Sequence, residues 1–266
     1  MREGAAVAHR GGSRGLQATS QLLTALTVRD LKLRYQGSFF GWAWTLARPL
    51  ALGIVLYFAL GKVLAAGITN YPQFLLVGLF PWFWFQSSVQ QATNVFVGNG
   101  GLLKKVRFPR VVLPLSIVAG NTLQFLLAFP VILVFLLVAG IYPEWEWAVG
   151  LPLLVAVQLA LTIGTAVFVA SATVYFRDLE HITDVVLGLL FYATPLLYGV
   201  DRIPDRYEWI AWANPLAPLA EGWRGVLMEG ELPQVELLVS GGMAAAALVL
   251  GFWLFYKVQD SFADVV

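Results

Sequence analysis

Residues 111–143 read VVLPLSIVAGNTLQFLLAFPVILVFLLVAGIYP, thirty-three positions without an aspartate, glutamate, lysine or arginine. A helix rises 1.5 Å per residue and the hydrocarbon core of a bilayer is about 30 Å thick, so about 20 apolar residues suffice to cross it. This stretch is long enough. One such run alone would also fit the buried helix of a large soluble core, so its neighbours decide between the two.

Working outward, 63–103 and 147–176 are likewise free of charge, 185–200 and 237–256 are shorter gaps, and 35–61 is interrupted only by Arg48. Over the whole chain 59% of residues are apolar and 12% are charged, against about 25% charged in an ordinary soluble domain. A soluble protein of 266 residues would need more charge than this to cover its surface. The pattern predicts an all-α integral membrane protein with about six transmembrane helices, near 42–62, 71–98, 111–139, 148–175, 183–199 and 236–257. Residues 1–19, polar and glycine-rich, are expected to form a flexible tail, and 20–266 a single transmembrane domain. The first 20 residues hold no apolar signal core of about 7–15 residues, so the first span is expected to direct insertion.

Lys and Arg orient the spans, because they concentrate in cytoplasmic segments. Arg2, Arg10, Arg14, Arg29, Lys32 and Arg34 precede the first span; Lys104, Lys105, Arg107 and Arg110, then Arg177, then Lys257, fall on the same side. The opposite side has only Lys62, Arg202, Arg206 and Arg224. The richer side is expected to be cytoplasmic, with both termini on it, as an even number of spans requires. Trp145 and Trp147 then fall at the outer surface, and Trp42, Tyr175 and Tyr256 at the inner one.

Composition also excludes. A net charge of +1 gives no reason to expect nucleic acid, and without cysteine there is neither a disulfide nor a thiolate metal site. His9 and His181 flank no motif. No G-x-x-x-x-G-K-[ST] loop is present to cradle ATP phosphates. The expected spans carry no midplane Asp, Glu, Lys or Arg of the kind that relays protons or sodium. The chain is read as no enzyme, with no cofactor or metal of its own, and any transport it performs is expected to draw energy from a partner.

Three segments do more than span. In 17–36, leucines alternate with Arg29, Lys32 and Arg34, which predicts an amphipathic interface helix over 20–36. In 99–110, NGGLLKKVRFPR, Asn-Gly-Gly ends a helix and Phe108-Pro109 limits the next one. A positive-inside anchor needs only the charges of that loop; Leu102, Leu103, Val106 and Phe108 exceed that need and suggest a docking surface. In 201–236, Pro204, Pro215, Pro218 and Pro233 divide apolar pieces too short to cross. That segment is expected to dip back as a re-entrant helical hairpin over 203–230, covered by other helices.

Six blocks then occur in order: RDLKLRYQGSFFGWAWTLARPL (29–50), LVGLFPWFWFQSSVQQATN (76–94), NGGLLKKVRFPRVVLPLS (99–116), VYFRDLEHI (174–182), TPLLYG (194–199) and ANPLAPLAEGWRGVL (213–227). From about residue 20 to the C-terminus the chain resembles the permease subunit of type-2 ABC exporters of lipid-linked polysaccharide, such as O-antigen, capsule and teichoic-acid exporters. The resemblance implies a homodimer in the bacterial cytoplasmic (inner) membrane, joined to two copies of a separate ATP-binding subunit that carries ATP and Mg. It implies an interface helix with Arg29, Asp30, Lys32, Arg34 and Tyr35. A coupling segment at 101–107 would place Leu102, Leu103, Lys104, Lys105, Val106 and Arg107, with Phe108, against the ATPase, and Arg177 and Asp178 would form a second contact. The hairpin would be an outer gate, with Thr194, Pro195, Tyr198, Asn214 and Pro215. Its partners would then be the ATPase, a second copy of itself, membrane lipids and the lipid-linked glycan.

Aromatic rings can stack on sugar faces while a chain slides past. Candidates for such a path are Trp42 and Trp44, with Phe80, Trp82, Phe83, Trp84 and Phe85. On a helix Phe80 and Trp84 share one face and Trp82 and Phe85 another, so at most one face lines a path. Packing against lipid or a neighbouring helix explains any single ring equally well. Arg48 either snorkels to the inner interface or meets a substrate phosphate. Two other functions stay open: a type-2 ABC exporter of small molecules or drugs, and a passive channel or membrane scaffold. The last pair would not need both the apolar-basic loop and the outer hairpin.

Overall fold

The computed structural model describes residues 3–38, 41, 43–63, 67–106 and 108–259. Among the described residues the chain is all helix and connection, with no strand, as the charge-free runs predict. α1 (Glu3–Tyr35) contains the helix expected at 20–36 and extends it through the segment expected to be a tail; no proline interrupts that stretch. α2 (Ala43–Leu56) passes at Tyr57 into a π-helical segment ending at Val63. α3 (Tyr71–Thr93) starts after Asn70, which sits in the left-handed region at φ 52°. Pro72 lies in its first turn, where a missing N–H leaves no bond unmade. The span expected to run to residue 98 breaks earlier, at Asn94, and the chain continues as two short helices, α4 (Val95–Gly98) and α5 (Gly100–Lys105). After it come α6 (Val112–Val138), α7 (Trp145–Thr173) and α8 (Leu179–Ala193). α9 (Glu208–Ala213) and α10 (Leu216–Arg224) follow, α10 continuing as a π-helical turn to Glu229, and α11 (Gln234–Val258) closes the chain.

Among the described residues, four helical stretches can cross a membrane by length and composition: Ala43–Val63, Val112–Val138, Trp145–Thr173 and Gln234–Val258. The sequence predicts six. The difference lies in α3 and α8, and each has a physical reason. α3 is long enough at 23 residues, but it packs against α2, α6, α7, α8 and α10. Enclosed by protein, it tolerates glutamine, serine and tryptophan where a lipid-facing helix would need leucine. α8 has 15 residues, which rise only about 22 Å; it stops at Thr194 instead of running to 199.

The core is built around α3. Its Phe80, Trp82, Trp84 and Phe85 join residues of α6, α7 and α10 in one large apolar cluster. A second cluster, at the end of the bundle where the basic segments gather, joins α1, α4, α6, α7 and α11. Outward, Leu126, Leu127 and Val134 of α6, Val185 and Leu189 of α8, and Leu238, Val249 and Leu250 of α11 are exposed. Such a surface would be unfavourable in water and is ordinary in lipid. Of the two tryptophans expected at the outer surface, both in the first turn of α7, Trp145 is exposed and Trp147 turns inward into the main cluster.

Candidate functional site

The basic end is organised by the break at Asn94. α4 and α5 turn the chain across the end of the bundle, and Leu102, Leu103 and Phe108 pack onto the second cluster. These three, expected to dock a partner, are therefore half-buried and hold the segment down. Lys104, Lys105 and Val106 are the exposed ones, and Arg107 lies outside the described residues. Asn99 sits just before α5. Its Nδ2 donates to the Val95 carbonyl at 2.9 Å, and its Oδ1 accepts from Arg29 Nη2 of α1 at 3.1 Å. Arg29 also pairs with Asp30 at 2.7 Å. α1 is thus tied to Asn99, the residue that precedes α5. Arg177 and Asp178 are exposed at the α7–α8 turn, and Lys32 is exposed on α1.

One and a half turns further along α1, Arg34 reaches between α3 and α6. Its Nη1 donates to Asn121 Oδ1 and Gln124 Oε1, each at 3.0 Å, and its Nη2 donates to Gln91 Oε1. The Tyr35 and Thr45 hydroxyls pair, joining α1 to α2. Beside these groups lies a narrow cleft of three helices. It is lined by Thr45 and Pro49 of α2, by Phe80, Phe83, Trp84 and Ser87 of α3, and by Asn121, Gln124, Phe125 and Ala128 of α6. Trp84 donates its indole N–H to Thr122 Oγ1 at 3.0 Å and stacks on Phe125 with ring centres 4.7 Å apart.

The candidate path aromatics therefore divide by face. Phe80, Phe83 and Trp84 line the cleft, whereas Trp82 points the other way, 5.5 Å from Phe191 of α8, with Phe85 beside it. Phe80, Trp82, Trp84 and Phe85 are all buried. Trp44 is exposed, and Trp42 lies outside the described residues. The exposed Arg48 lays its guanidinium 4.9 Å from the centre of the Phe83 ring.

At the opposite end, α9 and α10 form a helical pair turned at Asn214-Pro215. α10 is buried against α3, α7 and α11, while Trp209, Ile210 and Trp212 of α9 are exposed. Three of the candidate gate residues meet there. Thr194, fully buried at the end of α8, accepts from Asn214 Nδ2 at 2.8 Å, and Asn214 Oδ1 in turn accepts from the Leu216 N–H at 3.0 Å. The Pro195 carbonyl accepts from Arg224 Nη1 at 2.7 Å and that of Leu196 from Nη2 at 3.0 Å. Pro215 precedes α10 at its cap position. Tyr198 stands apart, donating to the Tyr192 carbonyl at 3.1 Å.

Arg224 is the residue that sequence reasoning missed. Counted there as one more outer-side charge, it is 2% exposed, pairs with Glu221 at 2.8 Å and lies 3.5 Å from the centre of the Phe74 ring. α10 thereby places a buried charge against the apolar helix α3. A signal existed: Glu221 and Arg224 are the only charges of 216–228 and stand three apart, which puts them on one helix face. Next to it Trp223 Nε1 donates to Gln158 Oε1 at 2.7 Å, and Gln158 Nε2 donates to the Pro81 carbonyl at 2.8 Å. That chain of bonds pins α10 to α7 and α3.

Residues 21–228 match the family described as ABC-2 type transporter. An O-antigen export system permease protein RfbA of Klebsiella pneumoniae is 38% identical over 245 residues, which covers 92% of this chain and 95% of the relative. RfbA of Myxococcus xanthus is 36% identical over 251 residues, with the same coverage of each chain. The polysialic acid transport protein KpsM of Escherichia coli is 24% identical over 255 residues, 93% of this chain and 97% of the relative.

Proposed function

This chain belongs to the ABC-2 type transporter family, and we propose that it is the permease subunit that carries a lipid-linked cell-envelope glycan, of the O-antigen kind, out across the bacterial cytoplasmic membrane. The observation that carries this reading is the 38% identity to an O-antigen export permease over 92% of the chain. It takes in the basic corner, the aromatic third turn of α3 and the outer hairpin alike. The chain works as a homodimer with two copies of an ATP-binding subunit, which hold the ATP and its Mg, and both of its termini face the cytoplasm.

The mechanism follows from what is tied to what. ATP draws the two ATPase subunits together, and they push on Lys104, Lys105 and Val106, with Arg177 and Asp178 as a second contact. α5 moves with them, and through Asn99 and Arg29 so does α1. α1 is seated on α6 and, through Arg34, on α3, so the push reaches the helices that carry the aromatic cleft. At the far end α3 also holds Arg224 against Phe74. A shift of α3 therefore loads the bonds that keep the hairpin packed.

The test is complementation. A strain lacking its own O-antigen permease, given this chain and its cognate ATPase, is expected to display glycan at the cell surface. No surface glycan, with both subunits at normal level in the membrane and the lipid-linked precursor accumulating, would reject the reading. Purification of the tagged chain in mild detergent is expected to bring the ATPase with it in equal amount; a clean single-chain preparation in several gentle detergents would argue for a channel or scaffold.

A further inference from the structure

Arg34 can only donate. A guanidinium has five N–H donors, no acceptor and a permanent charge. An amide that binds it must therefore turn its oxygen toward it and its NH2 away. Asn121 and Gln124 both do so, at 3.0 Å. Their NH2 groups are buried as a consequence, and neither finds an acceptor among the described residues. Asn121 is 3% exposed and Gln124 6%. Leaving a buried donor unmet costs about 1–3 kcal/mol, and it is unusual to find two side by side.

Both amides line the cleft between α2, α3 and α6. Its remaining polar lining is Thr45 and Ser87, and its walls are the rings of Phe80, Phe83, Trp84 and Phe125. The cavity there is about 40 Å³. That volume takes a hydroxyl-bearing substituent and no whole pyranose. Donors set among aromatic walls suit the oxygens and the apolar edge of a sugar, and suit a lipid tail poorly.

We propose that the Asn121 and Gln124 amide groups form a subsite for oxygen acceptors of the passing glycan, its hydroxyl or acetamido oxygens, and that Arg34 positions both donors. The inference rests on the glycan-export reading above and adds to it a site on this chain. Because Arg34 belongs to α1, the seat of the interface helix decides which way the two amides face. The site is thereby sensitive to the same element that is tied to the coupling corner.

Asn121→Asp combined with Gln124→Glu is the decisive variant, made in the full chain with its ATPase in the complementation strain. Each change replaces an NH2 by an oxygen of the same size and leaves an acceptor for Arg34 in place. Surface glycan is expected to fall at least about tenfold, with membrane level and ATPase co-purification unchanged; wild-type export by this variant overturns the proposal. A second measurement keeps both amides. The chain has no cysteine, so Ser87→Cys puts a single thiol in the cleft. Its reaction with a small methanethiosulfonate reagent is compared in membranes from cells that make the lipid-linked glycan and cells that cannot. Labelling is expected to be at least about threefold slower where glycan is made, and equal rates overturn the proposal even if the double variant fails to assemble. If the unsubstituted chain exports no glycan, the export reading itself fails; if it exports and both tests are negative, only the subsite falls.

Discussion

Gly164 of α7 and Gly251 of α11 meet backbone to backbone. A Cβ on Gly251 would overlap the Gly164 carbonyl, and one on Gly164 would overlap the Ala247–Leu248 peptide. Between helices in lipid, where apolar burial drives little, small residues permit this approach and the dispersion contacts that hold the pair. Gly251→Val is therefore expected to destabilise by about 1–3 kcal/mol, the range for overpacking a close contact. Gly242 of the same helix has open space around its Cβ direction, so Gly242→Val is the control. Thermal unfolding in detergent checks both; equal melting temperatures would mean that the α7–α11 crossing does not depend on the glycine pair.

Arg224 yields a second prediction. Arg224→Leu keeps much of the volume but leaves the Pro195 and Leu196 carbonyls without their donor and Glu221 without its cation. Removing one partner of a buried pair costs about 3–5 kcal/mol. Arg224→Lys restores the charge without the two-pronged geometry and should recover only part. The readout is protease cleavage within 200–233, expected to be fast in the leucine variant, intermediate in the lysine variant and slow in the parent. Uncut hairpin in the leucine variant would show that the α10 packing alone holds it.

The third concerns Thr194 and Asn214. Their 2.8 Å bond joins the end of α8 to the turn of the hairpin, and both side chains are buried. A double-mutant cycle with Thr194→Val and Asn214→Ala should return a coupling of about 1 kcal/mol, typical for a neutral hydrogen bond. If this bond helps keep the hairpin packed, each single variant should also raise the basal ATPase rate of the complex. A coupling near zero would separate the two elements energetically.

How much of this was legible beforehand differs from element to element. The long helices α6, α7 and α11 were readable because each meets lipid along one side, so the requirement for apolar residues falls on the sequence itself. α3 was found by its lack of charge, but its end at Thr93 was not; nothing at Asn94 resembles a breaker as strong as proline or glycine. The sequence predicts too long an α8 because Pro195–Val200 is as apolar as the helix before it. Side-chain direction was the larger loss. A charge count cannot tell that Arg224 turns inward while Arg202 stays out, since that depends on which face of α10 meets Phe74. For the same reason Leu102, Leu103 and Phe108 looked like a docking surface, although the bundle claims them first and leaves Val106 and two lysines outside.

That division of the basic corner gives the last prediction. Lys104, Lys105 and Val106 are exposed, and exposed positions contribute little to stability. Reversing the charges, Lys104→Glu with Lys105→Glu, or adding one at Val106→Asp, should leave the stability of the permease, read by thermal unfolding in detergent, within about 0.5 kcal/mol of the parent. Either change should cut recovery of the co-purifying ATPase at least about tenfold. Leu103→Asp should do the reverse in kind: it places a carboxylate against the second core cluster, so the permease itself should become unstable before any partner is considered. Arg29→Ala lies between them. It breaks the tie to Asn99, an exposed bond worth under about 1 kcal/mol, so assembly and ATPase binding should survive. If α1 moves with the coupling helix through that bond, glycan exported per ATP hydrolysed should fall severalfold. Export and hydrolysis that fall together would instead make Arg29 part of the docking surface, and an unchanged ratio at full activity would remove α1 from the transmission route.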